Sequence, residues 1–272
     1  MGTMGRLPMP TQPDPPALAL HHRDLGGSGE PPIVLLHGLL GSSRNWQTAG
    51  SALAAGRRVY ALDLRNHGQS PHADRMSYPD MAADVLAWMD AHGVGHAELV
   101  GHSMGGKVAM VLACRHPERV GRLVVVDIAP KDYSWPARRQ EFAAMNELKL
   151  AGLKSRAEAE ARFEPRVPGW ADRKFLTTNL ERTPDGWRWQ VNLPAITAAL
   201  GELEKNPLGP GDRFLGPTLF IAGEKSRYIL PGDRGVILAH FPSARFEVIA
   251  GSGHTPHIEA REAFVRAMAS TS

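Results

Sequence analysis

A serine flanked by glycines is the first group in this chain with the makings of a nucleophile. Residues 99–110 read LVGHSMGGKVAM: an apolar run ends in Gly101-His102-Ser103-Met104-Gly105, and a small-residue helical pattern follows. A G-x-S-x-G turn between strand and helix exposes the serine hydroxyl at the strand end and aims the free N–H groups of the helix at it. Gly101 and Gly105 leave no Cβ where the two elements approach most closely. With 28 glycines in 272 residues the pattern arises by coincidence ~0.15 times. The serine therefore gains meaning only beside a base, an acid and backbone donors for a developing oxyanion. Twelve histidines are available as bases.

Positioning such groups takes a scaffold of buried strands. Residues 33–36 (IVLL), 59–64, 96–100 and 122–128 (with LVVVDI) are continuous apolar runs of the kind covered on both faces. Helices are expected between them at 46–53, 77–92 and 104–115, the second with Met81, Val85, Leu86 and Met89 at helical spacing and Ser77 and Asp80 in its first turn. Residues 17–22 are a candidate first strand, closed by the glycine-rich turn at 26–29. The alternation breaks over 131–210, where no strand signal is strong and helices are expected at 138–150, 155–163 and 194–204. It resumes with strand 218–222, helix 233–240, strand 246–250 and a last helix at 259–269. The expected fold is α/β, a doubly wound, mostly parallel sheet with an inserted helical lid. Its core spans 17–130 and 211–272, its lid 131–210, and residues 1–16, with five prolines and no periodicity, read as a disordered leader.

Composition narrows the class. A net charge of +3 with no block of six like charges argues against a nucleic-acid binder. No apolar run approaches the ~18 residues of a membrane span. The single Cys114 cannot form an intramolecular disulfide, and the N-terminus lacks a signal-length apolar core, so a cytoplasmic protein is expected. Without an H-E-x-x-H, a close His/Cys pair, a P-loop or a G-x-G-x-x-G after a strand, neither a metal nor a nucleotide cofactor is implied. The expected partner is a small-molecule substrate.

Four motifs stand in order: His37-Gly38, the loop 63–70 (DLRNHGQS), the turn at Ser103, and Gly251-Ser252-Gly253-His254 before the last helix. Along 17–270 the chain resembles the α/β-hydrolases. Within them RNHG at 65–68, GHSMGGK at 101–107 and VVDIAP at 125–130 resemble a lidded serine esterase and acyl-thioesterase subgroup. The resemblance implies Ser103 as nucleophile and His254, on the loop after the last strand, as base. Its neighbour His257 reads better as a capping or loop-holding residue. Most α/β-hydrolases carry the acid after the penultimate strand in a Gly-x-x-Asp pattern, but here Gly223-Glu224-Lys225-Ser226 puts a serine in that place. Asp127, ending an apolar strand, is the better acid, because a lone carboxylate there is costly to bury without a partner such as His254. The resembled subgroup likewise uses an Asp at this earlier position, which leaves Ser226 to hydrogen-bond the pair as a fourth member. Anchoring the lid is the alternative role for Asp127, Glu224 is the alternative acid, and Asp233 reads as a helix N-cap.

Two backbone donors are expected at the oxyanion, the N–H groups of Met104 and Leu39. Further substrate-binding candidates are His37, Leu40 and Asn66 around the strand ends, with His67 beside them, and Trp187, Trp189 and Asn192 in the lid. Asp63 and Arg65 read as loop-fixing. Packing of the lid onto the sheet is the equal alternative for its tryptophans, and a solvated helix face is the expectation for Arg138 and Arg139. The implied chemistry is cofactor-free hydrolysis of short to medium acyl esters and of acyl-CoA-type thioesters. A C–C bond hydrolase or lyase, or a non-catalytic receptor for a small ligand, is the alternative on the same scaffold.

Overall fold

Strands made almost wholly of Val, Ile and Leu need cover on both faces, and the computed structural model, which describes residues 17–269, supplies it. The leader expected over 1–16 lies outside the described residues. In chain order, β1 (His22–Gly26), β2 (Ile33–Leu36), α1 (Gln47–Leu53), β3 (Val59–Leu62), α2 (Tyr78–Ala91), β4 (Ala97–His102), α3 (Met104–Arg115) and β5 (Val120–Val126) come first. An insertion follows: α4 (Pro136–Glu147), α5 (Arg156–Phe163), α6 (Trp170–Thr177), the hairpin β6 (Leu180–Thr183) and β7 (Gly186–Trp189), and α7 (Leu193–Leu203). β8 (Thr218–Gly223), α8 (Arg234–His240), β9 (Ala244–Ile249), α9 (Pro256–Glu259) and α10 (Arg261–Ala269) complete the described elements.

Seven strands form one sheet in the order β1-β3-β2-β4-β5-β8-β9, parallel throughout except where β1 runs against β3. Alternate residues point to opposite faces. Val34, Leu36, Leu99, Leu123, Val125 and Phe220 pack in one core with residues of α2, α3 and α8. Ile33, Leu35, Val100, Val124, Val126 and Ile221 pack in the other with α1 and α10. Each such side chain, removed from water, contributes roughly 2 kcal/mol before the entropy of ordering it. The carboxyl ends of β2, β4, β5 and β8 lie side by side, where open α/β sheets hold their ligands.

Close approach of α3 to β2 depends on one missing methyl. A Cβ on Gly105 would stand 2.6 Å from the carbonyl oxygens of both Leu36 and His37. Gly105→Ala is therefore expected to cost about 3 kcal/mol of stability, read as a lower urea midpoint. An unchanged midpoint would mean that α3 can retreat from β2.

Three expectations need correction. The first strand runs 22–26, not 17–22: His22 and Arg23 pair with Leu62 and Ala61, whereas the N–H groups of Leu18 and His21 go to the side chains of Asp84 (2.7 Å) and Ser70 (2.8 Å). The insertion is not wholly helical, since α6 and the β6–β7 hairpin were not foreseen. Four-residue strands carry little periodicity, although Pro184-Asp185-Gly186, with Gly186 at φ +133°, is a turn signal. The last helix is split at Ala260. Elsewhere Ser77 caps α2, its hydroxyl accepting the Asp80 N–H while the Asp80 carboxylate accepts the Ser77 N–H. No helix among the described residues is long and apolar enough to cross a membrane.

Candidate active site

Ser103 sits between β4 and α3 at φ +51°, ψ −117°, a conformation that a non-glycine residue keeps only when its surroundings hold it. Its N–H donates to Val126 O (2.9 Å), and its carbonyl accepts from Gly106 N–H (2.9 Å) and Lys107 N–H (3.2 Å). Asp127, at φ +55°, follows β5 directly and donates its N–H to Ile221 O (2.8 Å). Both turns are therefore bolted to neighbouring strands. The loop after β9 is braced by Glu259, whose carboxylate accepts from the N–H groups of Gly253 (2.7 Å) and Thr255 (3.0 Å).

Residues far apart in sequence meet here. His254 Nδ1–H donates to Asp127 Oδ2 at 2.7 Å, and its Nε2 faces Ser103 Oγ at 3.1 Å, placed to accept the hydroxyl proton. The Asp127 carboxylate is fully buried and accepts from Gly223 N–H (3.2 Å) and from the Ser226 hydroxyl. His102 Nε2–H holds the His254 carbonyl (2.8 Å), and the Tyr228 ring stacks on the imidazole at 3.8 Å. Burial, and after it the guanidinium of Arg138, holds the His254 imidazole well below its usual value, with Glu259 opposing. Burial pushes the Asp127 carboxyl up, opposed by the donors Ser226 and Gly223. A neutral imidazole wedged between a hydroxyl and a carboxylate can draw a proton from the one and share the resulting charge with the other.

A cavity of about 490 Å³ opens over Ser103 and His254, with Leu39, Trp135, Arg138, Phe175 and Tyr228 among its walls. Gly38 packs so closely that a Cβ there would lie 3.3 Å from the Ser103 Cβ. Of the further substrate-binding candidates, none reaches this cavity. His37 and Asn66 are fully buried, and Leu40 is nearly so. His37 spends both ring nitrogens on backbone, donating to Gly38 O (2.8 Å) and accepting from Leu64 N–H (2.9 Å). Trp187 and Trp189 pack against the core, the latter with its ring on Phe163. Asn192 caps α7 and joins Asn66 Oδ1 (3.1 Å).

Other assignments sort by distance. Glu224 accepts Gly251 N–H (2.8 Å) on an exposed loop and has no contact with His254. His257 is buried against Trp46, and Glu259 does the loop-holding expected of it. Asp233 precedes α8 but bonds back to Leu230 N–H (2.8 Å) and to Lys131 (2.6 Å) rather than capping that helix. Arg138 is not on a solvated face: it lines the cavity and is anchored by Glu141 (2.6 Å), while Arg139 pairs with Glu204. Trp135, Phe175 and Tyr228 were missed as cavity walls, because each reaches the cavity only through the fold of the insertion or of the loop after β8.

Comparison with known proteins adds a second line. A family model described as alpha/beta hydrolase fold matches residues 31–261. The chain is 39% identical over 245 residues to the sn-1-specific diacylglycerol lipase ABHD11 of Xenopus laevis, covering 88% of this chain and 78% of that one. It is 37% identical to the esterase YbfF of Escherichia coli, covering 87% and 91% of the two chains. Among solved structures, a marine microorganism esterase superposes with a TM-score of 0.91 at 34% identity, covering 94% of this chain and 100% of that one.

Proposed function

The chain belongs to the alpha/beta-hydrolase fold family, and on that premise we propose that it hydrolyses short to medium acyl carboxylic esters, and the matching acyl-CoA-type thioesters, through an acyl-enzyme on Ser103. The observation that carries this reading is the pair of hydrogen bonds running from Asp127 through His254 to Ser103, 2.7 and 3.1 Å long. Ser103 Oγ attacks the acyl carbon while His254 Nε2 takes its proton. Asp127 stabilises the imidazolium, and the Ser226 hydroxyl favours the ionised carboxylate, offsetting part of the cost of its burial. The developing oxyanion accepts from the N–H of Met104, which as the first residue of α3 has no intrahelical acceptor, and from that of Leu39. His254 then protonates the leaving alcohol or thiol, and water, activated by the same base, releases the acid.

The full chain is expected to turn over p-nitrophenyl acetate and butyrate, and quenched turnover to leave one acyl group on Ser103 by mass spectrometry. Tight binding of small ligands with no turnover would favour a receptor. Turnover confined to a ring-cleavage diketone would favour C–C hydrolysis. Either result sinks the esterase reading.

Arg138 supplies a pH prediction. Its charge opposes a proton on His254, so with Arg138 in place the acid limb of kcat/KM lies at lower pH than it would without it. Arg138→Gln removes that charge, His254 holds its proton more tightly, and the acid limb moves to higher pH. A pH–rate profile between about pH 3 and 9 checks this, and an unmoved limb would show the imidazole to be screened from the guanidinium.

A further inference from the structure

Among the described residues, four non-glycines have a left-handed φ: Leu40 (60°), Asn66 (66°), Ser103 (51°) and Asp127 (55°). The last two belong to the reacting groups. Leu40 and Asn66 are instead the points where the insertion grips the loops beside Ser103. Leu40 is the third residue of a turn closed by Gly41 N–H on Gly38 O (2.9 Å), a position that usually takes glycine or asparagine when φ is positive. A leucine there is strained, and something must hold it.

Two side chains from different parts of the molecule do so. The Leu40 N–H donates to His67 Nε2 (3.1 Å), and the Leu40 carbonyl accepts from Asn179 Nδ2 (3.0 Å). His67 Nδ1–H donates to Arg65 O (2.9 Å), which fixes the tautomer with Nε2 bare. Burial, with His37 alongside, pulls the His67 pKa down to about 3, so the ring stays an acceptor at ordinary pH. Asn179 follows α6 in the insertion and is 5% exposed, and its own carbonyl accepts Gln190 N–H (2.8 Å) from beyond β7. The turn so clamped carries Leu39, and it presses Gly38 against Ser103.

We propose that Asn179 is a positioning residue through which the insertion sets the oxyanion loop: by holding the Leu40 carbonyl it keeps the strained turn 38–41 in the form that aims the Leu39 N–H at the reacting carbonyl. The inference rests on the reading of Ser103 as nucleophile and Leu39 N–H as oxyanion donor. Without the amide donor, Leu40 relaxes toward negative φ, the central peptide of the turn rotates, and Leu39 shifts with it. Seating of the insertion and strength of the oxyanion site are then one equilibrium.

The test compares Asn179→Ala and the nearly isosteric Asn179→Asp with His72→Ala. The last removes another bond between the insertion and the core, His72 Nε2–H to Gln190 O (3.1 Å), without touching Leu40. Both Asn179 variants are expected to lower kcat on p-nitrophenyl acetate about 10- to 100-fold with KM little changed. Affinity for a trifluoromethyl ketone, whose serine adduct carries the oxyanion, should drop by the same factor, and affinity for the product carboxylate should not. His72→Ala should keep its kcat. Unaltered kcat in Asn179→Asp, a fall in kcat without loss of ketone affinity, or an equal fall in His72→Ala would each overturn the proposal. If the unmodified chain hydrolyses no ester or thioester, the esterase reading fails first and this one with it.

Discussion

Ser103→Ala is expected to lower kcat on p-nitrophenyl acetate by about 10⁴- to 10⁶-fold, with substrate affinity nearly intact. The hydroxyl is the only group at this turn that can form the acyl bond, so its loss removes the covalent path and leaves the oxyanion donors and the cavity to act on water. What they retain is small but measurable. The change should not disturb the fold. Alanine meets the same strain at φ +51° as serine, and the Ser103 hydroxyl has His254 Nε2 as its hydrogen-bond partner. A thermal midpoint close to that of the unmodified chain, with no acyl adduct in quenched turnover, would separate lost chemistry from lost structure. Retention of more than about a hundredth of the rate would remove Ser103 from the mechanism.

Asp127→Asn is expected to cost about 10⁴-fold in kcat, and Glu224→Gln less than about twofold. The asymmetry comes from what each carboxylate touches. Asp127 accepts from His254, Ser226 and Gly223 at once and is shut off from water. An amide in its place offers only one oxygen to three donors and can turn its NH₂ toward His254, favouring the tautomer that has no lone pair for Ser103. The Glu224 carboxylate accepts the Gly251 N–H at an exposed loop, away from His254. The reverse outcome, a large loss at Glu224 and a small one at Asp127, would return the acid to the loop after β8. Because Asp127→Asn also relieves the cost of burying a charge, its stability should hold or rise while its activity collapses.

Much of the scaffold was legible in the residues. The buried strands announce themselves as unbroken apolar runs, and α3 was bounded to the residue because Ser103 opens it and His116-Pro117 closes it. The first strand was misplaced by several residues because an edge strand's register is decided by its partner β3 rather than by its own composition. The β6–β7 hairpin was passed over because four residues give no period to read, leaving only its turn as a sign. The side chains of His37, Leu40, Asn66, Trp187, Trp189 and Asn192, expected at the substrate, lie off the cavity over Ser103 for a shared reason. Proximity in sequence to a strand end, or membership of an aromatic segment, does not say whether a side chain faces the cavity or braces the loop behind it.

The strand-to-helix turn at Ser103 was legible in the sequence, since Gly101, which lets the chain fold back against Gly105, and the helix that starts at Met104 lie within a few residues of it, whereas the room that Gly105 makes is used by Leu36 and His37 at the end of β2. His254 and Asp127 could be named from motif resemblance, but their meeting with Ser103 was decided by the sheet, which sets the ends of β4, β5 and β8 side by side and brings the loop after β9 across them. The grip of Asn179 on Leu40 and the place of Arg138 in the cavity wall belonged to tertiary structure entirely. An amide 139 residues from the carbonyl it holds leaves no local pattern. Spacing along the chain records only interactions within a strand, a turn or a helix, and it is packing of distant elements that gives a strained turn the partners it needs.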